Sequence, residues 1–511
     1  MKPLRILFRT DANQQIGTGH FMRCLTLADE MRRSAAEICF VARELPLHLQ
    51  QMLFERDVTY LALLTPDAVH DIDELPHARW LPTSQAHDAD QTLAVLGKGS
   101  WDWLVVDHYA LDHRFETLLR AACKHILAID DLADRRHDCD VLLDQNFYLD
   151  QNQRYLGKVP AHCRLILGPS FVLLRPEFKA MREKVQVRSG KVNNILVFFG
   201  GVDADNLTGQ VLDVLISMNL PVQVNVVIGQ QHPQKEKIQQ LCAEHSYVCH
   251  VQTNQMASLM AAADLSIGAG GAGVWERCCL GLPSVCIATA ENQREQLQDL
   301  QSAGLVNATT SQRDVMTFLS SHLKCLGTSS NSRQVQTQRM MELVDGRGVE
   351  KVASRLKSQS IQMRLAEAKD AHAIFNWRNH PLVRNHSANT QEINWEEHRQ
   401  WFEKRLSSNS GPILIGEVNS QALGVVRFDI SEHEAMVSIY LVPDSGLKGW
   451  GVCLLDQAET WMHQNHPEVL KLHAQVLPNN EPSKKLFDKL NYNLIASTPQ
   501  LEFVKELEVC T

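Results

Sequence analysis

The chain has 511 residues, of which 44% are hydrophobic and 21% are charged, as is ordinary for a soluble globular protein. A chain of this length predicts about three domains, each long enough to bury its own core. The net charge of −9 argues against a nucleic-acid-binding protein and against binding to an anionic membrane surface.

The sequence shows no signal for export or membrane insertion. Its first apolar run is too short for a signal peptide, and no stretch approaches the roughly 20 apolar residues that span a bilayer. The 13 cysteines are scattered without a Cys-x-x-Cys pair, which favours reduced thiols over disulfides or a zinc site. We therefore expect a cytoplasmic protein without a membrane or nucleic-acid partner, and the oligomeric state stays open.

The first predicted elements enclose a glycine loop. Residues 6–8 form an apolar run that predicts a β-strand, and apolar residues after position 23 fall at helical spacing. Between them, Gly17 and Gly19 allow a sharp turn and close approach of a ligand. His20 is predicted at the start of the helix, where the helix dipole disfavours the imidazolium, so a neutral imidazole could serve as a general base for water. A capping or core histidine is the alternative.

Residues 1–160 alternate short apolar runs with helical stretches, which predicts a parallel sheet with helices on both faces. Two of these runs end in Asp107 and Asp130. Ligands of such sheets bind at the carboxyl ends of the strands, so we expect both aspartates and the loop of His20 to share one rim. Capping of loops is the simpler role for these aspartates.

A second α/β region begins near Leu165. Its strand at 194–199 runs into a glycine turn at 200–206 that opens a helix and resembles a phosphate cradle. Residues 268–273 contain four glycines, a density that we take to exclude a helix or strand interior and to favour close approach to a diphosphate. Glu276 on the next helix would then be placed for a ribose diol. A structural loop is the alternative.

Six short motifs in this order resemble the pseudaminic acid pathway hydrolases, which act on UDP-2,4-diacetamido-2,4,6-trideoxy-β-L-altropyranose. The resemblance covers roughly residues 4 to 357. It implies two Rossmann-like lobes of glycosyltransferase-B type with a cleft between them, and cleavage of the sugar–UDP bond by water. The motifs are residues 8–11, 16–23, 107–109, 174–178, 199–203 and 291–293.

The same resemblance implies site residues. His20 would be the base, Tyr109 and Asn292 would contact the sugar, and residues 268–276 would bind UDP. No acidic metal cluster is evident, so we expect no obligatory metal. The other implied substrate-binding residues are Gly17, Gly19, Arg23, Arg175, Gly201, Asp203, Gly270, Gly271 and Glu276.

A polar break near residues 326–332 and a last helix or linker at 351–360 precede a third region. Its apolar runs at 413–418, 424–428 and 435–441 predict antiparallel strands. A glycine loop then opens a helix at 453–463, and residues 479–483 cap a final helix.

This arrangement over residues 361–511 resembles the GNAT acetyltransferase fold. The motifs at 377–379 and 398–401 resemble the nucleotide-sugar N-acetyltransferases that act one step before the hydrolase. The resemblance implies that Lys448, Gly449 and Gly451 hold the pyrophosphate of acetyl-CoA. Asn480 and Ser483 would lie along the acetyl-CoA cleft.

One residue departs from the GNAT pattern. Many relatives carry a tyrosine, proposed as the acid for the leaving thiolate, where this chain has Phe487, which cannot donate a proton. Tyr492 could replace that tyrosine, a water could do so, or the thiolate could leave unassisted.

The sequence thus predicts two Rossmann-like lobes, at residues 1–160 and 161–357, followed by an α+β GNAT domain at 361–511. The predicted function is a bifunctional enzyme. Its GNAT domain acetylates a UDP-4-amino sugar with acetyl-CoA, and its lobes hydrolyse the product to free sugar and UDP. A glycosyltransferase that passes the sugar to an acceptor, or a non-catalytic nucleotide-sugar sensor, are the alternatives. The stereochemistry of the sugar and the general acid of either reaction stay open.

Overall fold

The computed structural model describes residues 2–65, 73–188, 190–311, 315–324, 330–387, 389–408, 410–444, 449–497 and 500–507. Contacts divide the chain into two units. The larger unit comprises Arg5–Glu30 and Ile38–Val352, and the smaller comprises Met1–Leu4, Met31–Glu37 and Ala353–Thr511. Among the described residues, no helix is both long enough and apolar enough to cross a bilayer.

The first sheet of the larger unit has seven strands. They are β1 Arg5–Arg9, β2 Glu37–Ala42, β3 Thr59–Ala62, β4 Trp101–Val106, β5 Cys123–Ile129, β6 Val141–Asp144 and β7 Arg164–Leu167. Their order in the sheet is β3-β2-β1-β4-β5-β6-β7. The strand β4 is buried at all six positions, as expected for a central strand of a parallel sheet covered on both faces.

Four helices connect these strands: α1 Gly19–Arg32, α2 Leu47–Phe54, α3 Gln85–Leu96 and α4 His113–Leu119. Ser84 caps α3 by accepting a hydrogen bond from the backbone N–H of His87, and Asp112 caps α4 by accepting one from that of Arg114. The strand β1 pairs in parallel with β4, which places the loop after β1 beside the loop after β4.

The second sheet has six strands, all paired in parallel in the order β10-β9-β8-β11-β12-β13. The strands are β8 Asn194–Phe198, β9 Gln223–Ile228, β10 Val248–Val251, β11 Leu265–Ala269, β12 Ser284–Ile287 and β13 Asn307–Thr309. The helices are α5 Pro176–Arg182, α6 Leu207–Met218, α7 Lys235–Glu244, α8 Met256–Ala262, α9 Gly273–Cys279, α10 Arg294–Ser302, α11 Val315–Lys324, α12 Ser330–Leu343 and α13 Gly348–Gln359. The predicted pair of parallel α/β lobes is therefore confirmed.

Two local predictions are wrong in this lobe. Gly268 lies inside β11 and Gly273 begins α9, so the four glycines do not form one loop. Gly268 fits a strand because a Cβ there would lie 2.2 Å from the carbonyl oxygen of Phe198 on β8, and only glycine permits that approach. Residues 330–332 of the expected polar loop belong to α12, while residues 327–329 lie outside the described residues.

The sheet of the smaller unit has seven strands: β14 Gln362–Leu365, β15 Ile413–Val418, β16 Gln421–Ser431, β17 Glu434–Leu441, β18 Lys471–Val476, β19 Asn493–Ala496 and β20 Leu501–Glu506. Their order is β14-β15-β16-β17-β18-β20-β19, antiparallel except for β17 with β18. The helices are α14 Ala371–Asn379, α15 Pro381–Arg384, α16 Trp395–Leu406, α17 Trp450–Asn465 and α18 Glu481–Lys489. The predicted antiparallel strands at 413–441 are confirmed.

The helix α13 contacts the third region of the chain. The Oγ of Ser354 lies 3.4 Å from the Sγ of Cys453 on α17, and the guanidinium of Arg355 lies 3.9 Å from Asp456. Leu356 is fully buried. The boundary at 357–361 stays a prediction, but these contacts agree with a division of the chain inside α13, between Val352 and Ala353.

We therefore expect residues 345–511, expressed alone, to melt roughly 5 °C or more above residues 361–511, because the shorter fragment loses the α13–α17 contacts. Thermal unfolding followed by circular dichroism would measure the difference. Equal melting temperatures would instead place the boundary at Ile361.

Candidate active sites

His20 lies in the first turn of α1 and contacts the residue that follows β4. Its Nδ1 is 2.6 Å from the Oδ1 of Asp107, and its side chain is 9% exposed. A carboxylate can only accept, so Nδ1 carries the hydrogen and Nε2 of the neutral ring keeps its lone pair. Within the described part of the chain, the hydrogen bonds of the His20 ring are made by Nδ1 and none by Nε2. The ring is therefore arranged to take a proton at Nε2.

Arg23 fixes Asp107 one turn further along α1. Its Nε donates to Oδ2 and its Nη2 to Oδ1, both at 2.6 Å, and its Nη1 donates to Asp131 at 3.0 Å. Burial would raise the pKa of Asp107, but the charge of Arg23 and the contact with His20 hold it well below its usual value. The guanidinium of Arg23 is thus engaged by two carboxylates and positions Asp107 and His20, while its contact with substrate stays a prediction.

Aromatic side chains surround the His20 ring. Tyr109 meets it edge-on, with ring centroids 4.6 Å apart, and Trp80 stacks on Tyr109 at 5.1 Å. The ring of His77 lies 4.9 Å from Trp80 and 5.1 Å from Tyr109. Trp80 and His77 could not be predicted from the sequence, because they lie in or next to a short 3-10 turn that has no apolar periodicity.

The glycines before His20 differ in their geometry. Gly17 has a φ of +77°, a left-handed conformation that favours glycine, and its N–H donates to the carbonyl oxygen of Asn13. A Cβ added at Gly17 or Gly19 would meet no atom within 4 Å. The loop therefore has open space beside the histidine.

The turn after β8 is not a phosphate cradle. Asp203 itself accepts hydrogen bonds from the backbone N–H groups of Leu207 and Thr208, at 2.9 and 2.8 Å, and His232 lies 3.2 Å from the same carboxylate. The buried carboxylate of Asp203 occupies the N-terminus of α6, and its contact with substrate stays a prediction. Gly201 lies in the same turn, with its carbonyl oxygen packed against Gly229.

The turn between β11 and α9, residues 270–272, is called the glycine loop below. A Cβ at Gly270 would overlap Leu297, and one at Gly271 would lie 3.3 Å from the Nε2 of Gln293. Glu276 on α9 lies 3.4 Å from Arg175. Burial raises the pKa of Glu276, and the charge of Arg175 opposes that shift. The structure thus brings Arg175 and Glu276 together.

Asn292 is exposed in a 3-10 turn, Glu291–Gln293, that leads into α10. Beside it, Glu291, Arg294, Thr310 and Ser311 line a cavity of about 500 Å³ at the carboxyl ends of β12 and β13. This is the edge of a parallel sheet where ligands bind.

The loop after β6, in the first lobe of the larger unit, contacts the second lobe. The indole N–H of Trp275 donates to the Oδ1 of Asn146 at 3.0 Å, and the backbone N–H of Leu149 donates to Asp299 at the same distance. These contacts fix α9 and α10 against the first lobe. Among the described residues, no group of three or more His, Cys, Asp or Glu side chains could hold a metal ion, and the metal-free reaction stays a prediction.

In the smaller unit, the strands β17 and β18 pair over three residues each, from Glu434 and Lys471, and both then continue without pairing to each other. Gly449, with a φ of +78°, precedes α17, and Gly451 packs closely on Leu486 of α18. The predicted pyrophosphate ligand Lys448 lies outside the described residues. Asn480 caps α18 by accepting a hydrogen bond from the backbone N–H of Ser483 at 3.1 Å.

Tyr492 is not placed to replace the missing tyrosine. Its hydroxyl donates to Glu459 at 2.7 Å, and Lys505 donates to the other carboxylate oxygen at 2.5 Å. Burial and the charge of Glu459 raise the pKa of the Tyr492 phenol, which makes it a poor acid. Phe487 is buried against the Tyr492 ring.

We therefore expect Tyr492→Phe to leave the kcat of any acetyl transfer unchanged and to lower the free energy of unfolding by about 1.5–3 kcal/mol, since Glu459 loses a donor. Acetyl-CoA turnover and urea unfolding of the same preparation would measure both. A tenfold fall in kcat at unchanged stability would make Tyr492 the acid.

The chain thus consists of two Rossmann-like lobes followed by an α+β region with the GNAT acetyltransferase fold. Family models match both parts: residues 194–339 match the glycosyltransferase family 28 C-terminal domain, and residues 361–493 match the acetyltransferase (GNAT) domain.

Individual relatives match either the whole chain or one of its parts. An uncharacterised protein of Methanocaldococcus jannaschii is 22% identical over 99% of this chain and 100% of its own length. The UDP-2,4-diacetamido-2,4,6-trideoxy-beta-L-altropyranose hydrolase of Campylobacter jejuni is 25% identical over 50% of this chain and 81% of that enzyme. The acetyltransferase PseH of Campylobacter jejuni is 27% identical over 25% of this chain and 79% of that protein. The chain is thus similar to a fusion of such a hydrolase with such an acetyltransferase.

Proposed function

We propose that this chain is a bifunctional nucleotide-sugar enzyme. Its lobes hydrolyse UDP-2,4-diacetamido-2,4,6-trideoxy-β-L-altropyranose to free sugar and UDP, and its GNAT region uses acetyl-CoA to acetylate the preceding UDP-4-amino sugar. The similarity to the Campylobacter hydrolase supports the UDP-sugar substrate, and the similarity to the Campylobacter acetyltransferase supports acetyl transfer. The observation that carries the hydrolase is the bond between His20 Nδ1 and Asp107, which leaves Nε2 able to accept a proton.

In the proposed hydrolysis, Nε2 of His20 takes a proton from water as the water oxygen bonds to the anomeric carbon of the sugar. The bond from that carbon to the phosphate oxygen breaks, and UDP leaves with the electron pair. Asp107 stays ionised and stabilises the imidazolium that forms. General-base catalysis of this kind contributes about 10²–10⁴-fold to the rate.

The other site residues have binding roles in this proposal. Tyr109, Asn292 and the open space at Gly17 and Gly19 would accommodate the sugar. Glu276 would accept hydrogen bonds from the ribose hydroxyls, with Arg175 holding its carboxylate. The backbone at Gly270 and Gly271 would face the diphosphate.

In the proposed acetylation, the 4-amino nitrogen attacks the thioester carbonyl carbon, the C–S bond breaks, and coenzyme A leaves as its thiolate. The nitrogen loses one proton as the amide forms, and the thiolate takes up a proton to give the free thiol. Acetyl-CoA would enter where β17 and β18 separate. Beyond Met436, β17 still pairs with β16 on one side but, among the described residues, has no strand partner on the side that faces β18. The turn at Gly449 and the start of α17 would face its pyrophosphate, and the capped end of α18 at Asn480 and Ser483 would flank it.

The test is incubation of the full chain with UDP-4-amino and UDP-2,4-diacetamido sugars, with and without acetyl-CoA, followed by NMR of the products. We expect the diacetamido sugar to release UDP in water alone, and the amino sugar to be acetylated first. A requirement for an acceptor would show a glycosyltransferase instead. Binding without turnover would show a sensor.

A further inference from the structure

Arg277 is a buried cation beside the glycine loop. It lies on α9, and its side chain is 2% exposed. Its Nη2 donates to the carbonyl oxygen of Ala269 at 2.6 Å and lies 3.5 Å from the Sγ of Cys286, while its buried Nε has no hydrogen-bond partner. The guanidinium therefore contacts the backbone that leads into the loop, from the protein side.

Arg277 differs from the other buried arginines in its charge partners. Each of those has a carboxylate within 3 Å: Arg9 with Asp11 and Asp88, Arg43 with Asp88, and Arg135 with Asp130. In the part of the chain that the structure describes, Arg277 makes no ion pair. The charge of Arg277 also acts on its neighbour Glu276, but the carboxylate of Glu276 lies against Arg175.

An unpaired buried charge is strongly unfavourable, because desolvation of the ion is not offset by a counter-charge. The charge of Arg277 cannot be relieved by loss of its proton, since a guanidinium stays protonated in proteins. A site that keeps such a charge is a candidate for binding an anion that supplies the missing partner.

The glycine loop limits what that anion can contact. Residues 270–272 carry no side chain larger than the methyl group of Ala272, so a ligand on this loop meets only backbone. Gly268 leaves room for the guanidinium, because a Cβ there would lie 2.8 Å from its Nη1. The cation is thus kept close to the loop by the small residues around it.

We infer that Arg277 is a positioning residue that provides, from behind the glycine loop, the positive charge for the diphosphate of the nucleotide. This inference rests on the proposed function, which places UDP at this loop. Arg277 should therefore strengthen binding of the diphosphate and have no effect on binding of the nucleoside.

The test compares UDP with uridine, by ligand-observed NMR titration of the full chain. We expect Arg277→Met, which keeps the length of the side chain and removes its charge, to weaken UDP binding about tenfold and to leave uridine binding unchanged. Arg277→Lys should retain most of the UDP affinity. Added salt should weaken UDP binding by the wild type more than by Arg277→Met.

Arg188→Met is the matched control. Arg188 belongs to the same lobe and donates to carbonyl oxygens, including those of Ala263 and Gly281, without a carboxylate partner among the described residues. Because those carbonyls lie away from the glycine loop, this change should lower the melting temperature and leave the ratio of UDP to uridine affinity unaltered.

A parallel loss of UDP and uridine binding in Arg277→Met, or no loss in either, would overturn the inference and leave a structural role. If the wild type hydrolyses UDP-sugars and Arg277→Met binds UDP as tightly as the wild type does, only the inference about Arg277 is overturned. A wild type that binds UDP but hydrolyses no UDP-sugar would overturn the proposed function alone, since the variants can still be compared. A wild type that does not bind UDP would overturn both.

Discussion

His20→Ala is expected to lower the kcat for hydrolysis of the UDP-diacetamido sugar by about 10²-fold or more, because the water loses its base. Acetyl transfer by the same preparation should be unchanged. UDP release, measured under saturating substrate with a coupled assay, gives the first rate, and thiol release from acetyl-CoA gives the second. The two readouts distinguish loss of the base from loss of the folded protein.

The matched control is His87→Ala, which removes an exposed histidine of α3 in the same lobe. We expect this variant to hydrolyse at the wild-type rate. His20→Ala with wild-type hydrolysis would show that the ring caps α1 or fills space. A rise in KM at constant kcat would show that it binds substrate without taking the proton.

The parallel sheets were predictable because their strands are short runs of apolar residues that are buried on both faces. Residues 101–106 illustrate this, since all six are buried and Asp107 follows at the carboxyl end. The sharp turn at Gly17, three residues before His20, was also predictable, because Gly17 does adopt a left-handed conformation. At these positions, neighbouring residues in the sequence were enough to predict the strand and the turn.

The partners of His20 were harder to predict. Its contact with Asp107 spans 87 positions of sequence, and it depends on the parallel pairing of β1 with β4. The ion pairs of Arg23 were unpredicted for the same reason, because its two carboxylates belong to other loops. Trp80 had no sequence signal, since its position beside His20 results from the tertiary fold alone.

The turn at Asp203 shows a different limit. Free N–H groups at the start of a helix can be satisfied by a bound anion or by a side chain of the protein, and a glycine turn before a helix is compatible with both. Asp203 lies four residues before Leu207 and Asn206 one residue before it, positions from which short polar side chains cap helices. That capping signal was in the sequence and favoured the intramolecular partner.

Asp107→Asn tests the arrangement that supports the base. Proton transfer converts His20 to an imidazolium, which the ionised carboxylate 2.6 Å from Nδ1 stabilises. The amide removes this negative charge and leaves the Arg23 guanidinium, whose Nη2 lies 3.2 Å from the same Nδ1, without its nearest counter-charge. Both changes disfavour the imidazolium, so we expect kcat to fall by about 10²–10⁴-fold.

The substitution separates positioning from binding when it is compared with Asp131→Asn. Asp131 also pairs with Arg23, at 3.0 Å, but has no hydrogen bond to His20, so its amide should cost much less in kcat. UDP affinity and the melting temperature of each variant show whether the site remains folded. Equal losses of kcat in the two variants would mean that the carboxylates act together by holding Arg23. A larger loss in Asp107→Asn, with UDP affinity preserved, would mean that the charge beside Nδ1 enables His20 to act as the base.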